Sequence, residues 1–223
     1  MCLILIAWRA DPEHSLVVAA NRDEYHARPA DAARFWKDHP DTLAGRDLQA
    51  MGTWMGVSRS RRFAAVTNYR GAREPSAAES RGALVARFLG NGQLPAKYME
   101  ALEGKASLYS GFNLLAYDGE ELWWMSNRNG APRRLEPGFY GLGNLLLGSP
   151  EVEAAKKRFR SAIDAAPAVD PLLAVLAESR ILNEQYGTRC STVLLRAKDG
   201  VLRYAERSFA PDGSEGETVR FQF

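Results

Sequence analysis

The chain has 223 residues, 46% of them hydrophobic and 25% charged, enough length and apolar content for one soluble globular domain over residues 1–223. Its 29 basic and 27 acidic residues leave a formal net charge of +2, too small to argue for nucleic acid or a membrane surface as partner. Two cysteines, Cys2 and Cys190, make no disulfide framework, no apolar run approaches the roughly 18 residues of a spanning helix, and no signal-peptide pattern opens the chain, so a cytoplasmic location is expected.

In chain order, apolar runs predict strands over Cys2–Arg9 and Ser15–Asp23, joined by a hairpin loop at residues 10–14. Both are apolar on consecutive residues, the pattern of strands buried on both faces. Thr53–Ser58 and Phe63–Asn68 flank the basic cluster Arg59 to Arg62, expected to be a solvated turn. Gly71 to Ser80 is polar and reads as a loop, and Ser80 can cap a helix with Leu84, Val85, Phe88 and Leu89 inward and Gly90 as its stop. A short helix is expected near Ala96–Glu103. Phe112–Tyr117 and Glu121–Ser126 flank Asp118-Gly119, and Ser191–Ala197 and Val201–Arg207 flank Asp199-Gly200. Both dipeptides favour the type I′ hairpin turn.

Ser149-Pro150-Glu151 opens a helix that buries Val152, Ala155, Phe159 and Ile163; Asp170-Pro171 opens another with Leu172, Leu173 and Leu176 inward. Val219–Phe223 can add a last strand. Antiparallel hairpins alternating with amphipathic helices predict an α+β fold, a four-layer α-β-β-α sandwich of two mainly antiparallel sheets.

Chemistry concentrates at strand ends. Once Met1 is removed, Cys2 would carry its own base, an α-amine of pKa about 7.7–8.0. The bland alternative is a structural, strand-initial cysteine. Extended backbone over Asn21 to Glu24 sends Asn21 and Asp23 one way, Arg22 and Glu24 the other. Asn68 and Asn144 end predicted strands, where an amide can donate to a developing oxyanion or simply form a turn. Arg189 can bind a carboxylate bidentately or sit as a strand-edge arginine. His14, His26 and His39 fall in loops without metal-ligand spacing, so no metal site is expected. Trp36, Trp54, Trp123 and Trp124 suit core packing better than a pocket.

Six blocks occur in order: Met1-Cys2, Asn21-Arg22-Asp23-Glu24, Ala44 to Asp47, Gly52 to Val57, Thr67-Asn68-Tyr69-Arg70, and Tyr186 to Arg189 with Ser191-Thr192-Val193. Together they closely resemble the NRDE family, also called the transport and Golgi organisation protein 2 family, over nearly the whole chain. One departure is Met51, where the family pattern suggests glycine.

The resemblance implies an N-terminal-nucleophile hydrolase fold and a link to haem handling and to acyl-CoA or lipid metabolism, with no settled reaction. The cysteine amidases of that fold use an Arg and an Asp on the strand beside the nucleophile. The site residues implied are therefore Cys2, Arg22, Asp23, Asn68 and Asn144, with Asn21, Glu24, Arg70 and Arg189 as ligand contacts. No cofactor is required; haem, an acyl-CoA or an N-acyl amide is the expected small-molecule partner, with haem as ligand needing one axial donor. Three functions compete: a binding and trafficking protein for an amphipathic metabolite, an N-terminal cysteine amidohydrolase or acyltransferase, and a structural or adaptor protein with no small-molecule site, which would leave the Arg, Asp and Asn at strand ends unexplained.

Overall fold

A computed structural model of the chain describes residues 1–71 and 77–223. The middle of the loop expected over Gly71–Ser80, residues 72–76, lies outside the described residues. The first half of the chain runs β1 (Leu3–Trp8), β2 (His14–Tyr25), β3 (Ala30–Phe35), β4 (Thr42–Asp47), β5 (Met55–Ser58), β6 (Phe63–Asn68), α1 (Arg81–Asn91) and α2 (Pro95–Glu103). The second half runs β7 (Phe112–Tyr117), β8 (Leu122–Ser126), β9 (Arg133–Arg134), β10 (Gly138–Leu142), α3 (Glu153–Asp164), α4 (Val169–Ala177), β11 (Tyr186–Ala197), β12 (Leu202–Phe209) and β13 (Glu215–Gln222).

The chain forms two compact units. Unit one comprises Met1–Arg28, Pro137–Gly143 and Leu147–Phe223; unit two comprises Pro29–Glu136 and Asn144–Leu146. Unit one is a six-stranded sheet in the order β10-β1-β2-β11-β12-β13, antiparallel throughout. Alternate residues Leu3, Leu5 and Ala7 of β1, Val17 and Ala19 of β2, and Val193 and Leu195 of β11 share one face of it. On that face Phe159 and Ile163 of α3 and Leu172, Leu173 and Leu176 of α4 complete the core. The side-chain spacing anticipated for both helices is the one they bury.

Unit two is a seven-stranded antiparallel sheet in simple sequence order, β3 to β9. Helices α1 and α2 pack Leu84, Val85, Phe88, Met99 and Leu102 on Ala64, Val66, Leu114, Ala116 and Met125 of the sheet. The Ser80 side chain accepts from the Gly82 N–H at 3.3 Å, as a capping residue should. The helix runs past Gly90 and stops at Gly92, whose φ of 68° is the left-handed conformation that a C-terminal glycine supplies. Among the described residues, four α-helices and two antiparallel sheets make the α+β class expected.

Several expectations are corrected. Arg62 is no solvated turn residue: it is buried, stacked on the Phe88 ring at 3.9 Å, and donates to the main-chain oxygens of Phe88 and Gln93 at the C-terminal end of α1. A cation there satisfies carbonyls that the helix leaves unpaired. Ser149 makes no side-chain cap; a short 3-10 turn at Pro150–Val152 precedes α3 instead. His14 is not in a loop but opens β2, buried against Asp11 with its Nδ1 2.7 Å from a carboxylate oxygen. Strands β3, β4 and β9 were not anticipated, and the strand expected to end at Asn144 is β10, which stops at Leu142. Trp36, Trp54, Trp123 and Trp124 belong to unit two, where Trp36 and Trp124 are buried and Trp54 and Trp123 pack against the core. Among the described residues no helix is long and apolar enough to cross a membrane.

Candidate functional site

The hairpin of β1 and β2 pairs Leu3 with Asn21 and Ile4 with Ala20. The register is pinned by the tight turn between them, where Asp11 accepts from the main-chain N–H groups of Glu13 at 3.0 Å and His14 at 2.7 Å. Continuing that register by two residues carries Cys2 to the level of Arg22 and Met1 to the level of Asp23. On its other side β2 pairs with β11, Arg22 facing Cys190 and Asp23 facing Thr188, with a bulge between Thr188 and Cys190.

Asp23 is the hub of what results. Its buried carboxylate pairs through Oδ2 with the Met1 α-ammonium at 2.8 Å, and its Oδ1 accepts from the Thr188 hydroxyl at 2.6 Å. Its main-chain oxygen accepts from two donors, the Cys2 thiol at 3.5 Å and the Tyr186 phenol at 3.1 Å. Burial raises the Asp23 carboxyl above its ordinary value, opposed by the hydrogen bonds from the ammonium and from Thr188. Burial, followed by the negative charge of Asp23, pushes the Cys2 thiol up to about 11; the Asp23 main-chain hydrogen bond, the Arg22 guanidinium and the α-ammonium pull the other way and lose. A thiol at that value is protonated at neutral pH and is neither a nucleophile nor a metal ligand in that state. The Tyr186 phenol is also raised, by burial and then by Cys2 and Asp23 nearby.

The remaining expected residues divide. Arg22 and Glu24 face one another at 3.6 Å, and Arg28 approaches the same Glu24 oxygen at 3.9 Å, so Glu24 sits between two guanidinium groups. Asn21 is completely buried and its amide is spent inside unit one: Nδ2 donates to the Leu176 carbonyl at 2.9 Å and Oδ1 accepts from the Ser191 hydroxyl at 2.6 Å. That amide ties β2 to the end of α4 and is not open to a ligand. Arg189 donates through Nη1 to the carbonyls of Tyr25, His26 and Arg28 at 3.0, 3.1 and 3.1 Å, bracing the chain that leaves β2. The bidentate carboxylate contact expected of Arg189 is not the use that this nitrogen has.

Within unit two, Asn68, Arg70 and Asn144 come together. The Asn144 side chain donates to the Asn68 carbonyl at 2.8 Å, and the Arg70 N–H donates to the Asn144 carbonyl at 2.6 Å. The side chains of Asn68 and Arg70 are exposed. Asn113, which the sequence reading did not single out, is fully buried beside them and donates to the Leu145 carbonyl at 2.9 Å and to Thr67 Oγ1 at 3.2 Å. It anchors the segment that carries Asn144.

Thr188 and Tyr186 were also missed as site residues, although both lie in the Tyr186 to Arg189 block that the sequence made conspicuous. The Cys2 thiol is protonated, and the His14 ring is engaged by Asp11. No group of three or more His, Cys, Asp or Glu side chains converges on a metal position among the described residues.

Comparison with known proteins adds a family and a fold. The protein-family model described as Transport and Golgi organisation 2 matches residues 1–183. The chain is 33% identical to a Transport and Golgi organization protein 2 homolog of Bos taurus over 272 aligned positions, covering 100% of this chain and 99% of that one. It is 28% identical to Transport and Golgi organization protein 2 of Drosophila melanogaster over 186 positions, covering 74% and 66% of the two chains. Among solved structures, a Caenorhabditis elegans N-acylethanolamine-hydrolyzing acid amidase ortholog superposes with a TM-score of 0.55 at 11% identity, covering 87% of this chain and 92% of that one. At that identity the likeness shows the fold alone, the N-terminal-nucleophile-hydrolase type that the family resemblance implied.

Proposed function

The chain belongs to the Transport and Golgi organisation 2 family, and from that premise we propose that it binds and traffics an amphipathic metabolite, haem or an acyl-CoA, on a hydrolase scaffold. One observation favours carrier over enzyme: burial and the Asp23 charge push the Cys2 thiol up to about 11, so the would-be nucleophile is protonated at neutral pH. The exposed guanidinium of Arg70 is the kind of group that receives a propionate or a phosphate. Calorimetric titration with haem and with a long-chain acyl-CoA tests the reading. Saturable binding that survives Cys2→Ala within a few-fold supports a carrier; absence of binding to both ligands sinks it.

A second reading is favoured by the convergence of Cys2, Arg22 and Asp23. Removal of Met1 would give Cys2 its own ammonium beside Asp23 and make a cysteine amidohydrolase of the chain. The thiolate would attack an acyl carbon, the amine would leave with a proton, and water would release the acid. Intact mass reports whether Met1 is present. Turnover of an N-acyl amide by the Met1-free chain, abolished by Cys2→Ala, would replace the carrier reading.

A further inference from the structure

The block Tyr186-Gly187-Thr188-Arg189 closes around residue 23 from the opposite strand. Tyr186 takes the Asp23 main-chain oxygen, Thr188 takes the carboxylate, and Arg189 braces the chain just beyond. Gly187 permits the fit: a Cβ there would stand 2.9 Å from the Ile181 carbonyl oxygen. The Thr188 hydroxyl has both of its roles filled. It donates to Asp23 Oδ1 at 2.6 Å and accepts from the Ile181 N–H at 2.9 Å, so its proton has one direction to point. The Thr188 N–H in turn donates to the Ile181 carbonyl at 2.9 Å, which locks the residue to that segment.

We infer that Thr188 is the positioning residue of this site: its hydroxyl fixes one oxygen of the Asp23 carboxylate, aims the other at the N-terminal amine, and so sets where amine and thiol stand. The significance of that placement rests on the reading that residues 2, 22 and 23 are functional, but the hydrogen-bond geometry does not. A carboxylate held by one hydroxyl at Oδ1 cannot rotate without breaking that bond, and a buried carboxylate loses more than an exposed one when a donor is removed. Serine keeps the hydroxyl, whereas valine keeps the shape and deletes it.

The test is the titration of the Asp23 carboxyl carbon, followed by NMR in the intact chain, for the wild type, Thr188→Val and Thr188→Ser. The titratable groups facing Asp23 are the Met1 ammonium and the Cys2 thiol from the N-terminal strand and the Tyr186 phenol from β11; Arg22 and Glu24 flank it on β2. Thr188→Val should raise the Asp23 midpoint by about one pH unit, and Thr188→Ser should restore it. An unchanged midpoint in Thr188→Val, or a serine variant that behaves like valine, overturns the inference. Should the valine variant fail to fold, the wild type still decides. A Thr188 hydroxyl proton slow to exchange, moving with the Asp23 titration, supports the role, and its absence refutes it. No ligand enters these measurements. A protein that binds neither haem nor acyl-CoA can still pass them, so the two failures are separate.

Discussion

The backbone of Gly52 lies against that of Gly82, so close that a Cβ on Gly52 would stand 2.6 Å from the Gly82 carbonyl carbon and 2.8 Å from its oxygen. The Thr53 N–H donates to that same oxygen at 3.2 Å, joining the turn before β5 to the first turn of α1. Neither side is a flexible side chain that can step aside. Gly52→Ala should therefore cost about 2–3 kcal/mol, read as a lower melting temperature, whereas Gly90→Ala, with open space around its Cβ, should not destabilise.

Met51, the position at which the family pattern suggests glycine, has a φ of 57° and a side chain that is 55% exposed. A residue with a Cβ is strained in the left-handed region, and the exposed thioether recovers little by packing. Met51→Gly is expected to stabilise unit two by about 0.5–1 kcal/mol, the relief of strain exceeding glycine's entropy cost. Chemical denaturation with an unchanged slope and a higher midpoint is the expected result; a lower midpoint would mean that the methionine is not strained.

Both thiols are raised, but unequally. Burial and the Asp23 charge take Cys2 to about 11, and burial followed by the Glu206 charge takes Cys190 well above the ordinary value. At pH about 8 the alkylation of Cys2 should be on the order of 100-fold slower than that of an exposed cysteine, with Cys190 slower still. The Cys2 rate should keep climbing until the pH nears 11. Site-resolved mass spectrometry after timed labelling measures this, and a Cys2 that reacts as fast as a free thiol at neutral pH would contradict the geometry.

Asp11 gives a pH dependence of definite sign. Burial alone would raise its carboxyl, but the hydrogen bonds from the His14 ring and from the His14 and Glu13 N–H groups outweigh it and hold the group below its ordinary 3.8. A depressed acid contributes stability that is complete above the unfolded value and is lost as pH falls through the folded one. The advantage of the wild type over Asp11→Asn in urea should therefore shrink as the pH drops below about 4. An advantage that grows on acidification would reverse the assignment.

How much of this was readable in the sequence follows from how local each signal is. Strands β1 and β2 were readable because their apolar runs are consecutive and a short polar loop separates them; α3 and α4 were readable from apolar spacing behind an acid and a proline at their starts. Strand β3, Ala-Asp-Ala-Ala-Arg-Phe, was not: it has no β-branched residue, and pairing with β4 overrides its weak propensity. The carboxylate expected near Cys2 comes with a hydroxyl that no local pattern announces, since Thr188 lies 165 residues from Asp23. Conversely, Asn21 and Arg189 carry the right chemistry for a ligand and spend it inside unit one, Asn21 on the Leu176 carbonyl and the Ser191 hydroxyl and Arg189 on main-chain carbonyls, a choice that only the register reveals.

Unit one is assembled from both ends of the chain, with most of unit two lying between them in sequence. During synthesis β1 and β2 therefore emerge as a hairpin whose outer edge on β2 has no partner. Asp23 waits for Tyr186, 163 residues later, an interval of roughly 8–30 s at cellular elongation rates. Through that interval an apolar strand edge is open to wrong pairing, so a chaperone or a slowly translated stretch should matter most before β11 appears, not at the end of the chain.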